Sequence, residues 1–159
     1  MKYVVVCLFL AFAVAIGRAD GAEPIQPTAE DKCPVCGMFT ARYSNFVAEI
    51  IFKDDSYVTF DGPKDMFKYY LNLETFAKGR TKTEVDSIYV TEYYGLVLID
   101  ARQAYFVTGS DVHGPMGHEL IAFSNREDAE VFKKDHRGTA LLEFGEVTAA
   151  LITSLGRMR

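Results

Sequence analysis

Two thiols and a thioether fall within six residues, Cys33-Pro34-Val35-Cys36-Gly37-Met38, and no other stretch constrains this chain more. A C-x-x-C pair closes either on itself as a disulfide or on a metal ion as two thiolates. Either outcome ties down the backbone around it. Far downstream, His113-Gly114-Pro115-Met116-Gly117-His118 gathers a second thioether and two imidazoles in a glycine-rich stretch expected to be a loop. Soft sulfur donors such as Cys and Met select Cu(I) and similar thiophilic ions over hard cations. The two clusters together therefore point to metal binding.

The N-terminus sets the compartment. Lys2, an apolar run from Tyr3 to Ile16, and Gly17-Arg18-Ala19 describe a secretory signal peptide over 1–19, too short for a comfortable membrane span. No transmembrane segment is expected in the mature chain. Cleavage after Ala19 removes Cys7, so Cys33 and Cys36 are the cysteines of the exported protein. Cys7 has no small-residue cleavage context before it, and a lipid anchor is not expected. Cleavage also removes Lys2 and Arg18 and no acid, which takes the formal charge from −5 to −7. Phosphate backbones require clustered Lys and Arg, so an acidic domain of this kind is not a nucleic-acid binder.

About 140 residues remain, enough for one domain with its own core. Residues 20–32 lack apolar periodicity and are expected as a flexible leader. Phe46–Lys53 and Tyr57–Phe60 predict a hairpin around the Asp54-Asp55-Ser56 turn. Asp61 is the expected N-cap of an amphipathic helix with Pro63 in its first turn, running to Leu71. A polar loop over 77–86 precedes short strands at Ser87–Tyr94, Leu96–Ala101 and Ala104–Thr108. Glu119–Phe123 predicts another strand, and Ser124 with Glu127 a capping box for a helix ending near Asp135, which Arg137-Gly138 closes. Leu141–Phe144 and Val147–Leu155 predict a last strand and a terminal helix. Tyr57–Phe67 and Leu120–Ala129 echo each other as strand, Phe, cap, acidic first turn and helix. The echo predicts an α+β fold of two similar ββα-type halves, about 46–76 and 104–136.

Three chemistries compete for the C-x-x-C pair. A thioredoxin-like dithiol wants the motif after a strand at a helix N-terminus, where the dipole lowers the thiol pKa. Here the motif precedes every expected strand, which disfavours a thiol–disulfide oxidoreductase. A zinc-stabilised interaction module needs four N or S ligands, and His113 and His118 could complete the two thiolates. A Cu(I) site uses Cys36 and Met38, with Gly37 letting the turn bring both sulfurs to one point, and Met116 and His118 closing the shell. His136 belongs to a helix end and takes no metal role. No Ser-His-Asp order, phosphate loop or carboxylate pair points to an enzyme.

Cys36-Gly37-Met38, Phe60-Asp61-Gly62-Pro63 opening a helix, and Gly114–Phe123 together resemble the NosL family of nitrous oxide reductase accessory proteins. The resemblance runs from about Cys33 to Ile152, within a unit expected over 33–155. It implies two ββα-type halves, export to the periplasm or cell envelope, and Cu(I) handed to nitrous oxide reductase or its maturation machinery. The family's Cys-Gly-Met falls on Cys36, Gly37 and Met38, and its Met-Gly loop on Met116 and Gly117. Cys33 and His118 complete the expected metal set. Many family members look like lipoproteins with a cysteine at the processing site, where this chain has none; that departure implies soluble periplasmic placement.

Overall fold

The computed structural model describes residues 21–157, and the expected signal peptide lies outside them. The chain forms β1 (Ala48–Phe52), β2 (Tyr57–Phe60), α1 (Pro63–Leu71), a short α2 (Leu73–Phe76), β3 (Val85–Thr91), β4 (Leu98–Asp100), β5 (Tyr105–Gly114), β6 (Gly117–Phe123), α3 (Arg126–Asp135), β7 (Ala140–Glu143) and α4 (Ala149–Leu155). This is an α+β fold with two antiparallel sheets, ordered β2-β1-β3-β4 and β6-β5-β7. The runs β1-β2-α1 and β5-β6-α3 both follow hairpin-then-helix order, as the sequence echo predicts. A parallel bridge between Glu92 and Ala122 ties the two sheets together.

Every residue of β1 is buried because both faces of its sheet are covered. Ala48, Ile50 and Phe52 enter the main core with Phe60, Ile88 and Val90. Glu49 points to the other face, where it neighbours Thr59 and Tyr89 across the strands. Residues 21–32, expected as a flexible leader, run over this second face as a strap. Ile25 N–H donates to Glu49 Oε1 at 2.9 Å, and the Tyr89 hydroxyl donates to the Ala22 carbonyl at 2.8 Å.

Helix α1 is the joint between the two halves. It packs on β1 and β2 on one side and on β6 and α4 on the other. Its apolar residues Met66 and Phe67 are fully buried, and Phe67 meets Phe106 of β5 edge to face at 5.1 Å. Burying such side chains contributes roughly 2–3 kcal/mol each. The sequence predicts Asp61 as the cap of α1. Gly62 holds that position instead, in extended backbone with no side-chain cap, and the Asp61 carboxylate is engaged elsewhere.

The cap of helix α3 falls one residue later than expected. Asn125, not Ser124, accepts the Asp128 N–H, because Asn125 has the extended backbone a cap requires. The helix covers β5 and β6 through a smaller core of Val107, Ile121, Phe123, Ala129 and Phe132. His136 ends it, stacked on Phe132 with Nδ1 2.9 Å from Asp111 Oδ1.

The His113–His118 stretch is the tip of a β-hairpin and not a loop. β5 continues to Gly114 and β6 starts at Gly117, with His113 opposite His118 and Gly114 opposite Gly117. Gly117 takes φ +83, a left-handed conformation that lets Pro115 and Met116 alone turn the chain.

Candidate metal centre

The turn 33–38 is closed by its own backbone. Cys33 N–H donates to the Met38 carbonyl at 2.9 Å, and Gly37 N–H donates back to the Cys33 carbonyl at 2.8 Å. Gly37 has φ +80, which a side chain would oppose. The result is a knuckle with both sulfurs on one side. Cys33 is buried and Cys36 half-buried, and both thiols are free.

The thiols face the start of α1. Cys36 Sγ lies 3.1 Å from Asp61 Oδ1, and Cys33 Sγ lies 3.5 Å from Asp65 Oδ2. One ligand atom from each of Cys33, Cys36, Asp61 and Asp65 falls within 4.8 Å of the other three. Both carboxylates are buried. Two thiols and two carboxylates gathered this closely are a donor set that can close on a cation.

Electrostatics keep the two thiols protonated until something displaces the protons. Burial pushes the Cys36 thiol up to about 11, and the Asp61 carboxylate beside it adds to the rise. Burial pushes Cys33 higher still, with Asp61 and Asp65 acting in the same direction. Asp65 is itself raised, by burial and then by the nearby Asp61 charge. Reactive redox cysteines show the opposite shift, a lowered pKa in an electropositive setting. A cation would reverse the balance, because it favours thiolate and carboxylate together.

Among the expected ligands, the structure brings Cys33 and Cys36 together and leaves Met38 half-buried on the same knuckle. Met116 sits half-exposed at the hairpin tip, lining a cavity of about 620 Å³ that Asp65 and Lys64 also line. His118 does not join the thiols. Its ring packs against His113, with centroids 4.7 Å apart, and its Nδ1 is buried without a hydrogen-bond partner.

Asp61 and Asp65 are missing from the sequence-based set. Asp61 carries a strong cap signal, and a carboxylate at a helix start is ordinarily explained by the helix alone. The signal that was available is the pair of acids four residues apart, Asp61 just before the Gly62 cap and Asp65 in the first turn of α1.

A model of the NosL family matches residues 24–152. The copper-binding lipoprotein NosL of Stutzerimonas stutzeri is 29% identical over 140 residues, covering 86% of this chain and 72% of that protein. The crystal structure of the copper chaperone NosL from Shewanella denitrificans superposes with a TM-score of 0.65 at 28% identity, covering 84% of this chain and 99% of that one.

Proposed function

This chain belongs to the NosL family, and on that premise we propose that it is an exported Cu(I)-binding metallochaperone. Its cargo goes to a copper-accepting envelope enzyme, nitrous oxide reductase or the machinery that matures it. The relatives are named for copper binding and chaperoning, not for catalysis, and the chain is not an enzyme. The observation that carries this reading is the pair of free thiols gathered with two buried carboxylates, one of which, Asp65, lines the same cavity as Met116.

In this reading Cys36 is the principal ligand and Cys33, Met38 and Met116 supply further sulfur. Cu(I) takes such soft, low-coordinate sets. His118, paired with His113, stays outside the set. The Asp61 carboxylate accepts the Cys36 S–H, so the proton that the metal displaces has an acceptor already in line. Cys36 is half-buried and Met116 half-exposed, which leaves one side of the site open to an incoming ligand. Delivery then proceeds by exchange of sulfur ligands at that open side.

Anaerobic titration of the reduced protein, residues 20–159, with Cu(I) against a chromophoric competitor tests this. Tight binding of about one equivalent that Cys36→Ser abolishes is expected. A Cys36→Ser protein that binds as tightly as the native chain overturns the reading.

The sulfur–carboxylate composition also favours one other cargo. Zn(II) accepts two thiolates with two carboxylates in a tetrahedral site, and structural zinc contributes folding energy outright. A chain that melts on chelation is a zinc module; a chaperone stays folded without metal.

Placement in the envelope agrees with the Stutzerimonas relative, which is named a lipoprotein. Among the described residues, no helix is long and apolar enough to cross a membrane. The relative's lipoprotein name speaks against the expected lack of a lipid anchor, and mass spectrometry of the exported protein distinguishes an unlipidated N-terminus at Asp20 from a lipidated cysteine. A lipidated Cys7 would overturn soluble placement.

A further inference from the structure

Between the two ligand clusters stands one residue that belongs to neither. Lys64 occupies the first turn of α1, within the five residues 61–65 that also carry Asp61 and Asp65. Its exposure is only 6%. A buried ammonium must find partners, and a lysine has three protons to place. Lys64 Nζ donates to the Met116 carbonyl at 2.9 Å and to the His118 carbonyl at 2.6 Å. Those carbonyls flank Gly117, so the ammonium bridges the hairpin turn from below.

The main chain of the same residue grips the hairpin a second time. Lys64 N–H donates to Glu119 Oε1 at 2.6 Å, and that oxygen also accepts the Leu120 N–H at 2.9 Å. Glu119 is buried, and its other oxygen closes on Gly62, where a Cβ would collide with it. Residues 62–64 and 116–120 thus form an interlocked pair of segments joined by side-chain and main-chain bonds. Simple stability does not require this arrangement: a buried charge is a weak source of stability, and an apolar side chain of similar volume often serves as well. What the ammonium adds is direction, because it ties the carbonyls on either side of Gly117 to the start of α1.

We infer that Lys64 is a positioning residue for metal capture, holding the Met116-bearing hairpin tip against the Cys33–Cys36 cluster. The inference rests on Met116 being a ligand, as proposed above. The short segment 61–65 thereby serves both clusters: Asp61 and Asp65 face the thiols, and Lys64 between them binds the backbone that carries Met116.

The test is a double-mutant cycle in anaerobic Cu(I) competition, using the exported protein and its variants Met116→Ala, Lys64→Met and the double variant, each with wild-type near-ultraviolet circular dichroism. Lys64→Gln replaces Lys64→Met should the latter fold poorly. Met116→Ala is expected to weaken Cu(I) by about tenfold, the scale of one lost directional contact. Lys64→Met should weaken it by a similar factor, and the double variant should bind no worse than Met116→Ala alone. In the native protein, Cu(I) should shift the Met116 methyl resonance, and that shift should vanish in Lys64→Met. Full additivity, or native Cu(I) affinity in Lys64→Met, overturns the clamp while leaving the Met116 ligand standing. A silent Met116→Ala overturns both.

Discussion

The half-buried Cys36 thiol points at the buried Asp61 carboxylate, 3.1 Å away. A thiol beside an acid holds its proton more firmly, and a metal that takes the sulfur must displace it. The pairing thus sets both the resting state of the site and the way it loads.

Cu(I) affinity should consequently rise with pH. With Cys36 at about 11, the thiol is fully protonated at neutral pH, and each thiolate formed on binding releases one proton. Between pH 6 and 8 the affinity should grow about tenfold per unit for one displaced proton and about a hundredfold for two. Competition titrations across that range, corrected for the competitor's own titration, report the slope. A flat profile would exclude thiolate ligation.

Replacing Asp61 with Asn should lower the Cys36 pKa, because the carboxylate raises it by hydrogen bonding and by charge. Ultraviolet thiolate absorbance followed against pH measures the shift. The same variant separates the cargoes. A sulfur-only Cu(I) site should lose no more than a few-fold in affinity, whereas a zinc site that uses the carboxylate should lose at least tenfold, on the order of one ligand's worth.

Glu49 predicts a pH-dependent stability that has nothing to do with metal. Burial lifts its carboxyl to about 7, and its Oε2 has no hydrogen-bond partner. A raised acid favours the folded state while protonated, so its contribution is complete below about 4.5 and is lost as pH rises through about 7. Wild-type stability should fall by on the order of 2 kcal/mol between pH 5 and pH 8. Glu49→Gln should flatten that fall and be the more stable protein at pH 8, as read by denaturant unfolding. Equal slopes for the two proteins would contradict the assignment.

Phe67 joins the halves, and Phe67→Ala should cost about 3–5 kcal/mol by opening a cavity against Phe106. Thermal unfolding followed by circular dichroism measures the loss. A cost below about 1 kcal/mol would mean that the halves do not share one core.

Local chemistry made much of this protein legible in its sequence. The knuckle could be read because Cys33, Cys36 and Gly37 act within one turn, and Gly37 adopts the left-handed conformation that glycine suits. Two strand-like runs around the Asp54-Asp55-Ser56 turn located the hairpin of β1 and β2, and Pro63 located α1, since each depends on neighbours a few residues away. The α+β class and the repeated hairpin-then-helix order followed from those elements. Where a polar side chain finds its partner is a different question. Asp61 carries the same cap signal whether it caps α1 or meets Cys36, and only the fold, which brings residue 36 to within 3.1 Å of residue 61, decides for the thiol. Lys64 looks like a solvated helix-start lysine until packing of β6 on α1 encloses it and leaves the carbonyls of Met116 and His118 as its partners. His113 and His118, grouped with the thioether by sequence, face each other because antiparallel register places them opposite across the turn. The sequence by itself determined which segments become strands, helices and the sulfur knuckle, because those choices are settled over a few bonds. Tertiary structure alone decided which acids meet the thiols and which cation meets the hairpin, because those contacts join residues tens of positions apart and exist only once the two halves have closed on α1.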